Sequence, residues 1–163
     1  MELRNSGKIR VALHSSPKLG ARLIRWQTRS IYSHASLQFP GLGVIESRGR
    51  VGVQKVPVLA PHEGETIDTF TVEISATQYE EILSFALAQV GKPYDYTMVA
   101  RFVSRRQASR KSSAKWFCSE LVYAAFQQAG IDLLRDTQPW QVSPGLLARS
   151  PLLIPDELNI TAR

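Results

Sequence analysis

Residues 116–126 of this 163-residue chain read WFCSELVYAAF and contain its single cysteine, Cys118. Apolar residues recur at helical spacing after the cysteine, and Gly130 follows as a C-terminal cap, so the pattern predicts a helix that begins near Trp116. Cys118 then lies in the first turn, where unpaired backbone N–H groups and the helix dipole favour a thiolate. Because a lone cysteine is more often a small buried side chain, this pattern alone leaves packing and reactivity both open.

A histidine-bearing strand is predicted upstream, where residues 32–39 read YSHASLQF. Its apolar residues alternate with polar ones, so the strand buries one face and presents His34 and Ser36 on the other. A thiolate nucleophile needs a base, and His34 is the best placed of the three histidines because His14 and His62 lie beside predicted turns. His34 is therefore our candidate general base.

A carboxylate to orient that base is found in the next strand candidate, Leu42 to Ser47, which carries Glu46. With a hairpin loop of residues 39–41 and Gly41 in the left-handed conformation, Glu46 lies directly opposite His34. Their Cβ atoms are then roughly 5 Å apart, close enough for the carboxylate to fix the imidazole tautomer. A four-residue loop would instead turn Glu46 to the opposite face, as an ordinary solvent-facing residue.

The rest of the chain predicts strands first and helices after them. Further strand candidates are Lys8 to Leu13, Val51 to Val56 and Thr66 to Ile74, and we interpret all the strands as an antiparallel meander. Ala21 to Ser30 is predicted as a short helix or an irregular crossing.

A second helix is predicted to begin at a capping-box pair, Thr77 and Glu80, and to end at Gly91 and Pro93. The tail from Asp136 onward is predicted as loop and short turns. Strands followed by helices, with no repeat or linker, indicate an α+β fold in which an antiparallel β-sheet packs against helices.

Composition sets limits on the class of protein. The length of 163 residues and 44% hydrophobic content suit a single domain over residues 1–163. No apolar run is long enough for a membrane span, and the first twenty residues lack the apolar region of a secretory signal. We therefore expect a cytoplasmic protein, or one exported by a non-classical or phage-related route. One cysteine and three histidines fall at no ligand spacing that we recognise, so we expect no metal and no cofactor.

The positive charge of the chain is concentrated in one segment. Twenty Lys and Arg against fourteen Asp and Glu give +6, and Arg101 to Lys115 contains six basic residues and no acidic one. The segment is either a contact for an anionic partner or a solvated loop. Because no nucleic-acid motif and no aromatic-interleaved basic surface accompanies it, we expect no nucleic-acid partner.

Four motifs in this order, YSHASLQF, VIES, GKPYDY and WFCSELVYAAF, resemble the circularly permuted NlpC-type papain-like cysteine hydrolases, the YiiX-like bacterial proteins. The resemblance covers roughly Lys8 to Pro151. It implies a papain-like fold with the nucleophile at a helix N-terminus, and a thiol peptidase or amidase that acts through an acyl-enzyme thioester.

The resemblance also implies roles for individual residues. Cys118 would be the nucleophile, His34 the general base and Glu46 the group that orients it. Tyr94 matches the family's Gly-x-Pro-Tyr element, and the predicted substrate-binding residues are Tyr94, Ser36 and Trp116. The basic stretch SRRQASRKSSAK, which ends at Lys115, departs from the family pattern and would act as a lid, as an anion-binding arm or not at all.

Three functions stay open at this stage. The first is cleavage of a peptide or peptidoglycan-like amide, which would require export to a cell-wall substrate. The second is a lipid-directed thiol acyltransferase or acyl hydrolase, similar to the lecithin retinol acyltransferase type, with the basic segment on anionic headgroups. The third is a non-catalytic polyanion-binding module with a silent thiol.

Overall fold

In the computed structural model, which describes residues 8–104, 114–156 and 160–161, helices pack against one face of an antiparallel sheet. The predicted α+β fold class is therefore confirmed. The elements in chain order are β1 (Ile9–Ser15), α1 (Leu19–Thr28), β2 (His34–Phe39), β3 (Gly43–Arg48), β4 (Gly52–Val56), β5 (Thr66–Val72), α2 (Ala76–Gln89), α3 (Tyr96–Ser104), α4 (Cys118–Gln128), a 3-10 turn (Pro139–Gln141), α5 (Pro144–Leu147), β6 (Ile154–Pro155) and β7 (Ile160–Thr161).

The strand order within the described residues is β4-β3-β2-β1-β5-β6, with β7 also paired to β5. The predicted meander holds for β1 to β4 but is wrong for β5, which pairs with β1 on its other side. The connection, residues 57–65, crosses back over the sheet and packs Leu59 against Ala12 and Ile67. β1 thus becomes a central strand that is buried on both faces.

The main core lies between the sheet and helices α2 and α4. Ile9, Val11 and Leu13 of β1 contribute to it together with Leu37 and Ile45 of the neighbouring strands. Helix α4 is buried along nearly its whole length, so its N-terminus is held firmly against the sheet. No helix in the described part of the chain is long and apolar enough to cross a membrane.

The start of α2 differs from the prediction by two residues. Its N-cap is Ser75, whose hydroxyl accepts a hydrogen bond from the Gln78 backbone at 3.2 Å, while the Gln78 side chain accepts one from the Ser75 backbone at 3.0 Å. The Thr77 and Glu80 box is wrong because Ser75 has the extended backbone of a cap, whereas Thr77 already lies inside the helix.

Helix α3 was not predicted, and it occupies the segment directly after the GKPYDY motif. The Asp95 carboxylate begins it by accepting hydrogen bonds from the backbone and the hydroxyl of Thr97, at 3.0 and 2.6 Å. The helix runs into the start of the basic segment Arg101 to Lys115. Most of that segment lies outside the described residues, and its role stays a prediction.

The C-terminal tail returns to the sheet, although it was predicted as loop. Pro155 of β6 pairs with Phe70, and Ile160 of β7 pairs with Ile67, both on β5. Each of these strands has two residues, which is too short to produce an alternating pattern in the sequence.

A close backbone approach joins β4 to the segment that leads to the GKPYDY motif. Gly52 has φ +84°, and a Cβ atom there would lie 2.3 Å from the Lys92 carbonyl oxygen. The same carbonyl accepts a hydrogen bond from the Val53 N–H at 2.8 Å, and the Val53 carbonyl accepts one from the Gly91 N–H at 2.9 Å. Tyr94 and the residues before Cys118 are therefore anchored to the sheet at this point.

The Gly52 approach can be tested with a pair of substitutions. Gly41 has φ +82° and open space around it, so Gly41→Ala causes no clash. It should lower the unfolding free energy by about 1–2 kcal/mol, because alanine disfavours the left-handed backbone. Gly52→Ala adds the clash with the Lys92 carbonyl, about 1–3 kcal/mol more. Urea unfolding of both variants measures the difference, and equal destabilisation would show that the approach does not constrain the fold.

Candidate active site

Cys118 lies in the first turn of α4, as the sequence predicts, and it is the first residue of the helix because α4 begins two residues later than expected. Phe117 precedes it in an extended conformation, and the Phe117 N–H donates to the Glu120 carboxylate at 3.2 Å. This contact fixes the turn that brings the chain into the helix. The backbone N–H groups of the first turn consequently lie around the cysteine.

The Cys118 thiol is buried, with only 1% of the residue exposed, and it packs in a cluster with Met98, Phe117 and Tyr94. Burial raises the pKa of the thiol to about 12, although hydrogen bonds from the backbone N–H groups of Ala35 and of the helix start favour the thiolate. In this conformation, desolvation therefore raises the pKa of the thiol more than the helix N-terminus lowers it.

His34 and Glu46 meet on the polar face of the sheet, with 2.6 Å between His34 Nε2 and Glu46 Oε2. Their predicted contact is confirmed, but the predicted register is wrong. The loop is residues 40–42 rather than 39–41, so Gln38 pairs with Val44 instead of Leu42. Because the register shifts by two residues, His34 and Glu46 both stay on the predicted face of the sheet. They contact each other diagonally across the two strands instead of directly opposite.

The Glu46 carboxylate is held by more than the histidine. Arg48 Nε donates to it at 3.1 Å, and Gln54 Nε2, on the facing strand β4, donates at 2.9 Å. Burial by itself would raise the pKa of Glu46, but the hydrogen bond and charge of His34 together with Arg48 and Gln54 lower it well below its usual range. An ionised Glu46 accepts the proton of His34 Nε2, which leaves Nδ1 as the basic atom.

A second histidine, His14, lies beside the first and was missed by the sequence analysis. His14 pairs with His34 across β1 and β2, and their rings meet edge to face with centroids 4.8 Å apart. Burial lowers the pKa of His14, against the opposing effect of its hydrogen bond to Glu65. His14 was missed because β1 was predicted to end at Leu13, whereas continuing the alternation by two residues includes it.

Glu65 and Ser36 hold His14 in place. His14 Nδ1 lies 3.3 Å from Glu65 Oε1, and His14 Nε2 lies 3.1 Å from Ser36 Oγ. Burial would raise the pKa of Glu65, but hydrogen bonds from His14 and from the His62 backbone lower it to about 2. Glu65, His14 and Ser36 therefore form a row of polar contacts on the sheet face behind His34.

Trp116 lies deeper than the sequence analysis anticipated. Its Nε1 donates to Gln89 at 3.0 Å, and its ring meets Phe85 edge to face at 5.9 Å. Both Trp116 and Ser36 are buried, and neither lines the cleft described below. Their substrate-binding roles stay predictions.

A cleft of about 660 Å³ opens over His34 and Tyr94. Helix α1 forms one wall, and the turn between β3 and β4 forms another. Tyr94 lines the cleft as predicted, and its ring also contacts Phe117 of the Cys118 cluster at 5.7 Å between centroids. Burial raises the pKa of Tyr94. The other lining residues are Ser16, Lys18, Gly20, Ala21, Leu23, Ile24, Ser33, Arg48, Gly49, Arg50, His62, Glu65, Tyr96 and Val99.

Within the described residues, no three or more His, Cys, Asp or Glu side chains are grouped so that they could hold a metal ion.

Comparison with known proteins extends these observations. One solved structure with a similar fold is the crystal structure of the metalloprotein YiiX from Escherichia coli O157:H7, which is 19% identical in sequence. The match covers 97% of each chain with a TM-score of 0.66, so it establishes a shared fold. No curated protein matches the sequence.

A family model covers the greater part of the chain. It is described as "Permuted papain-like amidase enzyme, YaeF/YiiX, C92 family", and it matches residues 18–138. His34, Glu46, Tyr94 and Cys118 all fall inside the matched range. The chain therefore belongs to the YaeF/YiiX family of permuted papain-like amidases.

Proposed function

We propose that this protein is a cysteine hydrolase that cleaves an amide bond through an acyl-enzyme thioester. Cys118 is the nucleophile, His34 the general base and Glu46 the residue that orients His34. The observation that carries the proposal is the 2.6 Å contact of His34 Nε2 with Glu46, next to Ala35, whose backbone N–H contacts the Cys118 thiol. Membership in an amidase family supports the same chemistry.

The raised thiol pKa determines the order of the steps. Because the resting thiol is protonated, His34 Nδ1 takes the proton as sulfur attacks the substrate carbonyl. The C–N bond breaks, the amine leaves with the proton from His34, and a thioester remains on Cys118. Water activated by His34 then releases the acid and restores the thiol, while the Cys118 backbone N–H stabilises the oxyanion in both steps.

Tyr94 is the proposed substrate contact and the gate to the thiol. It lines the cleft and also packs against the cluster that buries Cys118. A substrate carbonyl reaches the sulfur only when this ring moves aside. Because Ser36 and Trp116 are buried, their predicted effect on substrate binding would be indirect, for Ser36 through its hydrogen bond with His14 and for Trp116 through the backbone before Cys118.

The lining of the cleft indicates the class of substrate. Leu23, Ile24 and Val99 form an apolar wall, while Lys18 and Arg50 add positive charge near the mouth. This lining suits an amide with an apolar acyl portion and an anionic group close to it. A peptide or peptidoglycan-like amide fits that description.

The same apolar wall favours a second candidate, an acyltransferase or acyl hydrolase that acts on lipids. Both candidates form the same thioester on Cys118, and they differ in the donor and in the acceptor. The acid is the product when water is the acceptor, whereas transfer to an added amine or alcohol identifies the acyltransferase.

The covalent step is tested with a panel of N-acyl amides, dipeptides and short-chain phospholipids. We expect an acyl adduct on Cys118 by intact-protein mass spectrometry and turnover that falls on the order of 10³-fold or more in Cys118→Ser, because the nucleophile is lost. Adduct formation in His34→Ala should slow by 10²- to 10⁴-fold. Turnover that survives in Cys118→Ser would eliminate the proposal.

The gating role of Tyr94 is tested by alkylation, since the chain has a single cysteine. Iodoacetamide should label the native protein slowly near neutral pH and faster only at alkaline pH, because burial raises the thiol pKa. Tyr94→Ala should accelerate labelling, whereas Tyr79→Ala on α2 should not. Fast labelling of the native protein near pH 6 that His34→Ala removes would instead indicate a preformed thiolate–imidazolium pair.

The orienting role of Glu46 predicts an effect on turnover rather than on substrate binding. Glu46→Gln removes the charge that fixes the His34 tautomer, so kcat should fall on the order of 10²-fold with KM little changed. Glu81→Gln, an exposed carboxylate on α2, is the control and should leave both constants unchanged. An unchanged kcat in Glu46→Gln would remove Glu46 from the mechanism.

A further inference from the structure

We propose that helix α1 docks the protein on an anionic lipid surface. Three apolar side chains, Leu19, Leu23 and Trp26, form the contact, and we call them the α1 ridge. Basic residues around the ridge bind lipid phosphates. This docking goes beyond the proposed function because it requires no chemistry at Cys118.

The α1 ridge is exposed to solvent although it is apolar. Leu19 is 82% exposed, Leu23 42% and Trp26 73%, and their spacing of four and three residues puts them on one face of the helix. All ten residues of α1 are described, and none of them is buried. A contiguous apolar ridge that the described part of the chain leaves exposed is typical of an interaction surface.

The charged residues of α1 and of the sequence directly beside it are all positive. Lys18, Arg22, Arg25 and Arg29 lie on or beside α1, and the sequence has no Asp or Glu from Lys18 to Ile45. An apolar helix face with a basic flank is the arrangement by which amphipathic helices lie in the headgroup region of anionic membranes. Each basic residue close to such a surface adds to the attraction.

A hollow beside the ridge suits a phosphate group. It has a volume of about 310 Å³ and is lined by Arg22, Arg25, Trp26 and Ser30. Two guanidinium groups and a hydroxyl are suitable donors to phosphate oxygens, and a tryptophan beside them suits the headgroup boundary of a bilayer. A soluble polyanion would use the charges but not the ridge, so the two features together favour a lipid surface.

The ridge also continues into the cleft that opens over His34. Leu23 belongs to both, and Ile24 lies on the cleft side of the same helix. If the proposed function holds, docking on α1 brings an acyl chain from the lipid layer to His34 along an apolar path. Vesicle binding itself is measured without turnover, so either proposal can fail without the other.

The experiment measures binding of the full chain to vesicles of mixed phosphatidylglycerol and phosphatidylcholine, and to vesicles of phosphatidylcholine alone. We expect sedimentation with the mixed vesicles, weakened by salt, and little with the neutral ones. Trp26 is the most exposed tryptophan among the described residues, so its fluorescence should shift to the blue and be quenched by brominated lipid. Trp26→Phe should remove most of this response.

Paired variants separate the ridge from the charges. Leu19→Ser with Trp26→Ser should abolish sedimentation, whereas Val51→Ser with Leu152→Ser, exposed apolar residues elsewhere, should not. Arg22→Gln with Arg29→Asn should weaken binding about 30-fold, with Asn chosen because Arg29 has a left-handed φ of 48°. Lys55→Gln with Arg135→Gln removes the same charge from other exposed sites and should have little effect.

Several results would overturn the proposal. The first is that the protein does not bind the mixed vesicles, and the second is that it binds the neutral vesicles as strongly as the mixed ones. The third is that the ridge variant and its control lose vesicle binding to the same extent. Binding to heparin without binding to vesicles would assign the surface to a soluble polyanion instead. Circular dichroism checks that each variant is folded, and the quenching measurement on the unsubstituted protein stands even where a variant does not fold.

Discussion

The hydrogen bond between His34 and Glu46 is the interaction on which the proposed chemistry depends. Two strand pairings support it, because β2 carries the histidine, β3 carries the carboxylate and β4 contributes Gln54 to the same carboxylate. Against the effect of burial, His34 first and then Arg48 lower the Glu46 pKa and so favour the ionised carboxylate. An ionised acceptor at Nε2 leaves Nδ1 as the atom that takes a proton. In this account, the sheet therefore determines which ring nitrogen of His34 carries the proton before a substrate binds.

The His34 imidazole and the Cys118 thiol differ in how accessible and how well oriented they are in the resting protein. Glu46 holds the His34 imidazole in the resting protein, whereas the Cys118 thiol is buried, and desolvation raises its pKa more than the helix N-terminus lowers it. In the proposed mechanism, access to the thiol depends on the ring of Tyr94, which lines the cleft and packs against the buried cluster. Reactivity is thus coupled to occupation of the cleft. A lipid surface that delivers substrate along α1 would add a second condition for reaction.

The sequence predicts the side of the sheet on which His34 and Glu46 lie, and the reason is physical. Strand alternation has a period of two, so His34 and Glu46 were assigned to the correct face even though the hairpin pairs two residues away from the expected register. His14 was missed because β1 was predicted to end at Leu13, one residue before it, and β5 was misplaced because a nine-residue crossing leaves no local pattern. Burial of Cys118 depends on residues distant in sequence, such as Tyr94 and Met98, so no local sequence pattern predicts it.

The tautomer of His34 is the most direct test of this account, and long-range ¹⁵N–¹H NMR of histidine-labelled protein measures it without a substrate. The experiment is run at mildly alkaline pH, and His34→Ala assigns the signal. The account predicts a neutral ring with its proton on Nε2 and a bare Nδ1, and a loss of this preference in Glu46→Gln. A ring protonated on Nδ1, or one that does not respond to Glu46→Gln, would contradict it.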